Sequence, residues 1–149
     1  MGAIFLDLQN NAIATASIPG TTTGSTTNAA GASVDLIDGV GNYCSAVQVV
    51  GTVTGTSPTL AGKIQESTDG TNNWTDVTAV SDGSTVAFAQ VTTSTNAQVV
   101  SFRPTKRYVR GYVTVGGTTP VFPTSITIIH QRKATPANSG GFSTASAAS

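Results

Sequence analysis

Four carboxylates crowd a single tryptophan in this chain: Glu66, Asp69, Asp76 and Asp82 lie around Trp74. Two carboxylates at a suitable separation can hydrolyse a glycosidic bond, one giving a proton and the other acting as base or nucleophile. Asp69 and Asp82 each precede a glycine, however, and turn geometry alone explains that pairing, because Gly accepts positive φ and Asp bonds its own backbone. Asp69, Asn72, Asn73 and Asp76 offer the hard oxygens calcium takes, yet their spacing does not match the twelve-residue helix-loop-helix pattern. His130 is the only histidine and no Gly-x-Ser-x-Gly elbow accompanies it, so it reads as a core or edge residue with a satisfied hydrogen bond. Cys44 is the only cysteine, which excludes an intramolecular disulfide and a cysteine zinc cluster. No Gly-rich loop followed by Lys-Ser or Lys-Thr is present to cradle a phosphate. No catalytic residue, cofactor or metal is assigned, and the expectation is a protein that is not an enzyme.

Residues suited to binding are easier to find. Arg103, Lys106, Arg107 and Arg110 form the one basic cluster, with Pro104 fixing the bend before the strand Arg107–Val115. Along that strand Val109, Gly111, Val113 and Val115 alternate with Tyr108, Arg110, Tyr112 and Thr114. The first set is core. The second is an amphipathic face of two tyrosines around an arginine, residue types enriched at protein interfaces, although such ladders also stabilise sheets. An acidic protein partner suits the cluster better than nucleic acid, because the net charge is zero and no set of base-stacking aromatics accompanies the bases. Trp74 is either the largest plug of the core or a platform for stacking a sugar, and the core reading is preferred in so aromatic-poor a chain.

The elements that must position these residues are strands. Thr occurs 26 times, Val 16 times and Leu only 4 times in 149 residues, and β-branched side chains favour extended backbone. Eight strands are expected, at Ser33–Asp38, Ala46–Thr54, Leu60–Ser67, Trp74–Thr78, Thr85–Thr92, Gln98–Arg103, Arg107–Val115 and Ser125–Gln131. Turn chemistry separates most of them, at Gly55-Thr56-Ser57-Pro58, Asp69-Gly70, Asp82-Gly83, Gly116-Gly117 and Pro120 to Pro123. Short strands at this spacing signal a single antiparallel β-sandwich or a barrel. Helical spacing never persists over two turns, so almost no helix is expected.

Residues 33–133 are therefore the body. Residues 1–32 read as an extended arm, apolar at Ile4, Phe5, Leu6, Leu8, Ile13 and Ile18 but without periodicity from Pro19 to Asn28. Ile4, Phe5, Leu6 and Leu8 join Arg103, Lys106, Arg107, Tyr108, Arg110 and Tyr112 as candidate interface residues. Residues 134–149 are a low-complexity tail, too poor in apolar side chains to order itself. Charged residues are only 9% of the chain, against ~25% in an average soluble protein, so neighbours in an assembly meet little repulsion. Residues 1–82 hold all seven acids and one base, a net of −6, and residues 83–149 hold six bases and no acid, a net of +6. Either the halves interleave and neutralise each other, or an acidic face of one subunit meets a basic face of the next. The N-terminus lacks the basic and apolar regions of a signal peptide, and no apolar run approaches the ~18 residues of a membrane span. Synthesis in the cytoplasm and no membrane partner are expected.

Two segments carry a family likeness. Gln65-Glu66-Ser67-Thr68-Asp69-Gly70 through Trp74-Thr75-Asp76-Val77, and Arg103-Pro104-Thr105-Lys106-Arg107-Tyr108-Val109-Arg110 continuing to Val113-Thr114-Val115-Gly116-Gly117-Thr118, resemble bacteriophage minor capsid proteins of the decoration, or cement, type. The likeness covers about residues 33–133. It implies a jelly-roll-like sandwich, self-association as a homo-oligomer (a trimer or dimer, the trimer preferred) and attachment to the outside of a phage head. Its partner there would be the major capsid protein, with the virion surface as its location. The alternative expectation is a carbohydrate- or receptor-binding sandwich on the virion surface, using Trp74 and the tyrosines.

Overall fold

A computed structural model describes residues 12–24, 28–37, 40–93 and 96–131. They form an all-β antiparallel sheet of eight strands, with no helix among the described residues. The strands are β1 (Ala12–Gly24), β2 (Asn28–Ala30), β3 (Val34–Asp35), β4 (Cys44–Val50), β5 (Thr54–Ser67), β6 (Thr75–Asp76), β7 (Asn96–Phe102) and β8 (Tyr108–Gln131). One path through the sheet runs β6-β5-β8-β4-β7, and β1, β2 and β3 also pair with β8.

β8 is the spine. Its first half, from Tyr108 to Val121, pairs with β5 on one edge and with β3 and β2 on the other. Its second half pairs with β4 from Thr124 to Ile129 and with β1 from Val121 to Gln131. The buried positions change parity between the halves, from Val109, Val113 and Val115 to Phe122, Ile126 and Ile128. The switch happens where Gly117 has a φ of 108° and Thr119 one of 47°, opposite Gly55 at 117° and Ser57 at 48°. The β5–β8 register shifts on both sides of the Thr56–Thr118 pair, so each strand carries a bulge there. Bulges bend a strand and re-aim its side chains, and here they fold the sheet over itself. As a result Gly111, in the first half of β8, lies against Ile126 in the second, and Gly62 of β5 lies against Gln48 of β4. The jelly-roll-like sandwich core fills the space between, led by Phe122, Leu36, Leu60, Ile64, Ile126 and Ile128. Gln98 helps to close the open side, its amide accepting from the Ala89 N–H at 2.7 Å and donating to the Ala89 carbonyl at 2.9 Å.

The partition into strands departs from the sequence expectation in four places. Neither Gly55-Thr56-Ser57-Pro58, which lies inside β5, nor Gly116-Gly117 with the prolines that follow, which lie inside β8, separates two strands, because positive-φ glycine can bulge without leaving the ladder. Pro123 falls where β8 exchanges β5 for β4, between the Thr54–Val121 and Val50–Thr124 pairs, and Pro120 falls in the bulge just before it, between the Thr56–Thr118 and Thr54–Val121 pairs; both are places where a sheet tolerates proline. The segment expected as a strand at Thr85–Thr92 makes only isolated bridges, through Thr85, Ala87 and Val91, yet still buries Val86, Phe88 and Val91. The largest difference is β1. Within the expected arm, residues 12–24 are a strand of the sheet, and Ile18 is in the core. The pairing edge of β8 imposes extension there despite the irregular local pattern.

Candidate functional site: an aromatic and cationic sheet face

The outer face of the β6-β5-β8 half gathers most of the residues singled out in the sequence. Register sets Gln65 of β5 between Asp76 of β6 and Arg110 of β8, and Lys63 beside Tyr112. A connected network follows. The Gln65 Oε1 accepts from Arg110 Nε at 3.0 Å and Nη2 at 2.9 Å, and Gln65 Nε2 donates to Asp76 Oδ1 at 3.1 Å. Lys63 Nζ donates to Asp76 Oδ2 at 2.8 Å. Above it the Arg110 guanidinium lies 4.2 Å from the Trp74 ring centroid and 5.8 Å from that of Tyr112, which Lys63 approaches to 5.4 Å from another position. Partial burial pulls the Arg110 guanidinium below its ordinary arginine value, and burial works against ionisation of Asp76 as well. For Asp76 the hydrogen bonds from Lys63 and Gln65 outweigh burial, and its carboxyl stays below the usual carboxylate range.

Trp74 is not the plug of the core. It is half-buried on this outer face, and its Nε1–H donates to the Thr71 carbonyl at 3.2 Å. The core aromatics are Phe88, Phe102 and Phe122 instead. The Asp69-Gly70 turn explains the difference. Asp69 Oδ1 accepts the N–H groups of Thr71 at 2.9 Å and Asn72 at 2.7 Å, and Asn73 takes a φ of 53°. This tightly wound loop delivers Trp74 to the polar side of the sheet, over Arg110.

The predicted basic cluster is dispersed rather than convergent. Arg103 donates to the Gly41 carbonyl. Lys106 Nζ donates to Thr75 Oγ1 at 2.6 Å. Arg107 forms a two-nitrogen pair with Asp35, at 2.8 Å for each bond, and lies 5.3 Å from the Tyr108 ring centroid. An acid from the first half of the chain thus meets a base from the second within one subunit. Arg110 stacks between Trp74 and Tyr112, not between Tyr108 and Tyr112; sequence alternation placed the arginine on the right face but gave no sign that the hairpin ring would reach it. Ile4, Phe5, Leu6 and Leu8, and the expected tail, lie outside the described residues.

The acids are engaged in architecture. Glu66, nearly buried, accepts from Thr105 Oγ1 at 2.7 Å, Thr105 N–H at 2.7 Å and Lys106 N–H at 3.2 Å, clamping the turn that leads into β8. Asp82 accepts the N–H of Ser84 at 3.0 Å and its hydroxyl hydrogen at 2.7 Å. No two of the four carboxylates around Trp74 share a hydrogen-bonded site. Among the described residues no three His, Cys, Asp or Glu side chains converge on a point where a metal could sit. His130 is buried with Nδ1 3.2 Å from the Gln131 carbonyl oxygen, and burial pushes the Cys44 thiol up to about 11. What the face offers is recognition: two aromatic rings, two cations and a preset amide and carboxylate.

No protein-family model and no curated protein sequence matches the chain. Its fold is similar to a chain in the structure of infectious bursal disease virus, Gx strain, with a TM-score of 0.50 and 11% identity over 80% of this chain and 31% of that one. The chain therefore spans less than a third of that viral chain's length. It is also similar, with a TM-score of 0.39 and 11% identity over 80% of this chain and 85% of the other, to a subunit from Bacillus endospore appendages that form disulfide-linked pili. At this identity the viral likeness shows the fold.

Proposed function

We propose that the chain is a non-enzymatic structural protein of a virion, a decoration protein that adheres to the outside of a phage head and stabilises contacts between major capsid subunits. In this reading it is made in the host cytoplasm, acts as a homo-oligomer and uses neither nucleic acid nor membrane. The observation that carries it is the division of labour among polar residues. The five acids of the described residues are all bound to partners within the chain, while Trp74, Arg110, Tyr112 and Lys63 are held ready on an outer face. A face of this kind, repeated on many subunits, gives avidity without a strong single site.

The test is titration of the protein onto empty heads assembled from major capsid protein. Arg110→Ala removes the guanidinium from between two rings and is expected to weaken binding at least tenfold. Arg107→Ala, which breaks an ion pair with Asp35, is expected to weaken it less. Equal binding by both variants would dismiss this face.

A second reading rests on one specific observation. Trp74 is on the surface, where a ring can stack a sugar, and not in the core. A carbohydrate- or receptor-binding role on the virion would then give glycan-array signals that Trp74→Ala abolishes, with no binding to empty heads.

A further inference from the structure

The sandwich has a second outer face, and its character is the opposite of the first. On the half formed by β1, the second part of β8, β4 and β7, register aligns Ala16, Thr127, Val47 and Val99 in one row across the four strands. The neighbouring rows hold Ile129 and Val49 among alanines and serines. No charged side chain falls in these rows. Val99 is 65% exposed and Val49 46% exposed, so the face is open. Its residues are small or β-branched, and the β4–β7 pairing runs through all seven residues of β7 without a bulge. Contiguous exposed apolar surface of this kind marks an interaction site.

We propose that a second copy of this chain docks on this face, sheet against sheet, about a two-fold axis. Charge selects the occupant. A neutral face is complementary to itself, because an isologous contact brings the same patch of both copies together, and here no like charges oppose. The Trp74 face would bring Lys63 and Arg110 of one copy towards those of the other. A partner chosen by charge would need charge to read, and the neutral face has none. Size is also suitable. Four strands ~4.8 Å apart and about seven residues of ~3.4 Å make a plate of roughly 450 Å² per copy, or roughly 900 Å² for the pair as flat projection. Corrugation raises this towards the ~1,200 Å² at which specific interfaces begin. The result is a weak dimer that leaves both Trp74 faces outward. This dimer gives the homo-oligomer of the proposed function its interface and rests on that part of it; a chain that is monomeric but still binds empty heads would overturn the dimer and leave adhesion to the head standing.

The experiment uses the full chain at tens of micromolar, with mass measured by light scattering. The wild type is expected at twice the chain mass of 15.0 kDa. Val99→Glu places a charge on an exposed position and is expected to give the 15.0 kDa species with a cooperative melting transition. A second variant, Val99→Cys kept reduced, reads the face directly: Cys44 is buried, so the new thiol is the accessible one for a maleimide. Protection at high concentration and reaction on dilution support the proposal. A monomeric wild type overturns it, as does a Val99→Glu variant that stays dimeric. A monomer whose new thiol remains protected also overturns it, because residues 1–11 or 132–149 would then cover the face instead.

Discussion

Arg110 and Trp74 hold each other, with the guanidinium 4.2 Å from the ring centroid and two of its nitrogens bound to the Gln65 carbonyl oxygen at 3.0 and 2.9 Å. The ring restrains the cation from above and the amide from the side. A guanidinium fixed in this way has little side-chain entropy left to lose on binding, which is how a small face gains affinity. It also ties the loop after β5 to the spine strand β8.

Trp74→Ala should therefore cost only about 1 kcal/mol of stability, the scale of a partly desolvated cation–π contact. A buried large aromatic would cost ~3–5 kcal/mol. Urea denaturation distinguishes the two, and a loss above about 3 kcal/mol would mean that the ring supports the core after all.

All-β class and the core parity of Val109, Val113 and Val115 were legible in the sequence, because β-branched density and strict alternation are local signals; the count of eight strands agrees only because β1 and β2 replace one lost strand and one merger. The outward-facing set Tyr108, Arg110 and Tyr112 was legible for the same reason. What lay beyond reach depended on contacts between distant segments. Nothing near Trp74 indicates that its loop delivers the ring to Arg110, and nothing near Glu66 indicates Thr105 as its partner. Gly116-Gly117 carries the same signature whether it ends a strand or bends one, so two expected strands became one spine. β1 was read as an arm because its own pattern is weak; its partner supplies the order.

Gly117→Ala tests the bend in that spine. A Cβ at this position would lie 2.7 Å from the Ser57 carbonyl oxygen and 2.9 Å from Pro58 Cα, on a backbone with φ of 108°. Neither obstacle is a flexible side chain that can swing away. Left-handed strain alone is worth ~1–3 kcal/mol, so a loss of at least about 2 kcal/mol is expected. Gly83→Ala is the control, because its φ is 72° but nothing lies within 4 Å of the added carbon. Equal losses in the two variants would show that the bend tolerates a side chain.

Acid should weaken the fold, and the sign follows from the carboxylates. Bonding to Arg107 holds the Asp35 carboxyl below its ordinary value against a smaller effect of burial. At Asp76 burial pushes upward, but Lys63 and Gln65 prevail and the value is again depressed. A depressed folded value means that stability is complete above the unfolded pKa of ~3.9 and is lost as pH falls through the folded values. The melting temperature is expected to hold from pH 7 to about 5 and to drop below about pH 4. Asp76→Asn should flatten part of that drop. A melting temperature that is constant down to pH 2, or that falls with rising pH over this range, would contradict the assignment.

The last expectation concerns the first strand. Ile18 sits in the core at 5% exposure, and Ser17 beside it is fully buried. The Ser17 hydroxyl donates to the Ala32 carbonyl at 2.8 Å and accepts the Gly111 N–H at 2.8 Å, while the Ser17 carbonyl accepts the Ala32 N–H at 2.6 Å. One serine on β1 therefore satisfies a buried amide in the other half of β8. Removal of residues 1–24 would leave a cavity at Ile18, worth ~2–5 kcal/mol by analogy with other large-to-small core changes. The Gly111 N–H would be left without its partner, at ~1–3 kcal/mol. The second half of β8 would lose a ladder that runs from Ala12 to Gly24. Together these approach the ~5–15 kcal/mol that holds a domain together, so the truncated chain is expected to be insoluble or to lack a cooperative melting transition. Ser17→Ala separates the causes, because it keeps the strand and removes only the hydroxyl; a stability loss of about 1–3 kcal/mol is expected of it. A truncated protein that melts cooperatively near the wild-type temperature would return β1 to the status of a detachable arm and leave adhesion as its role.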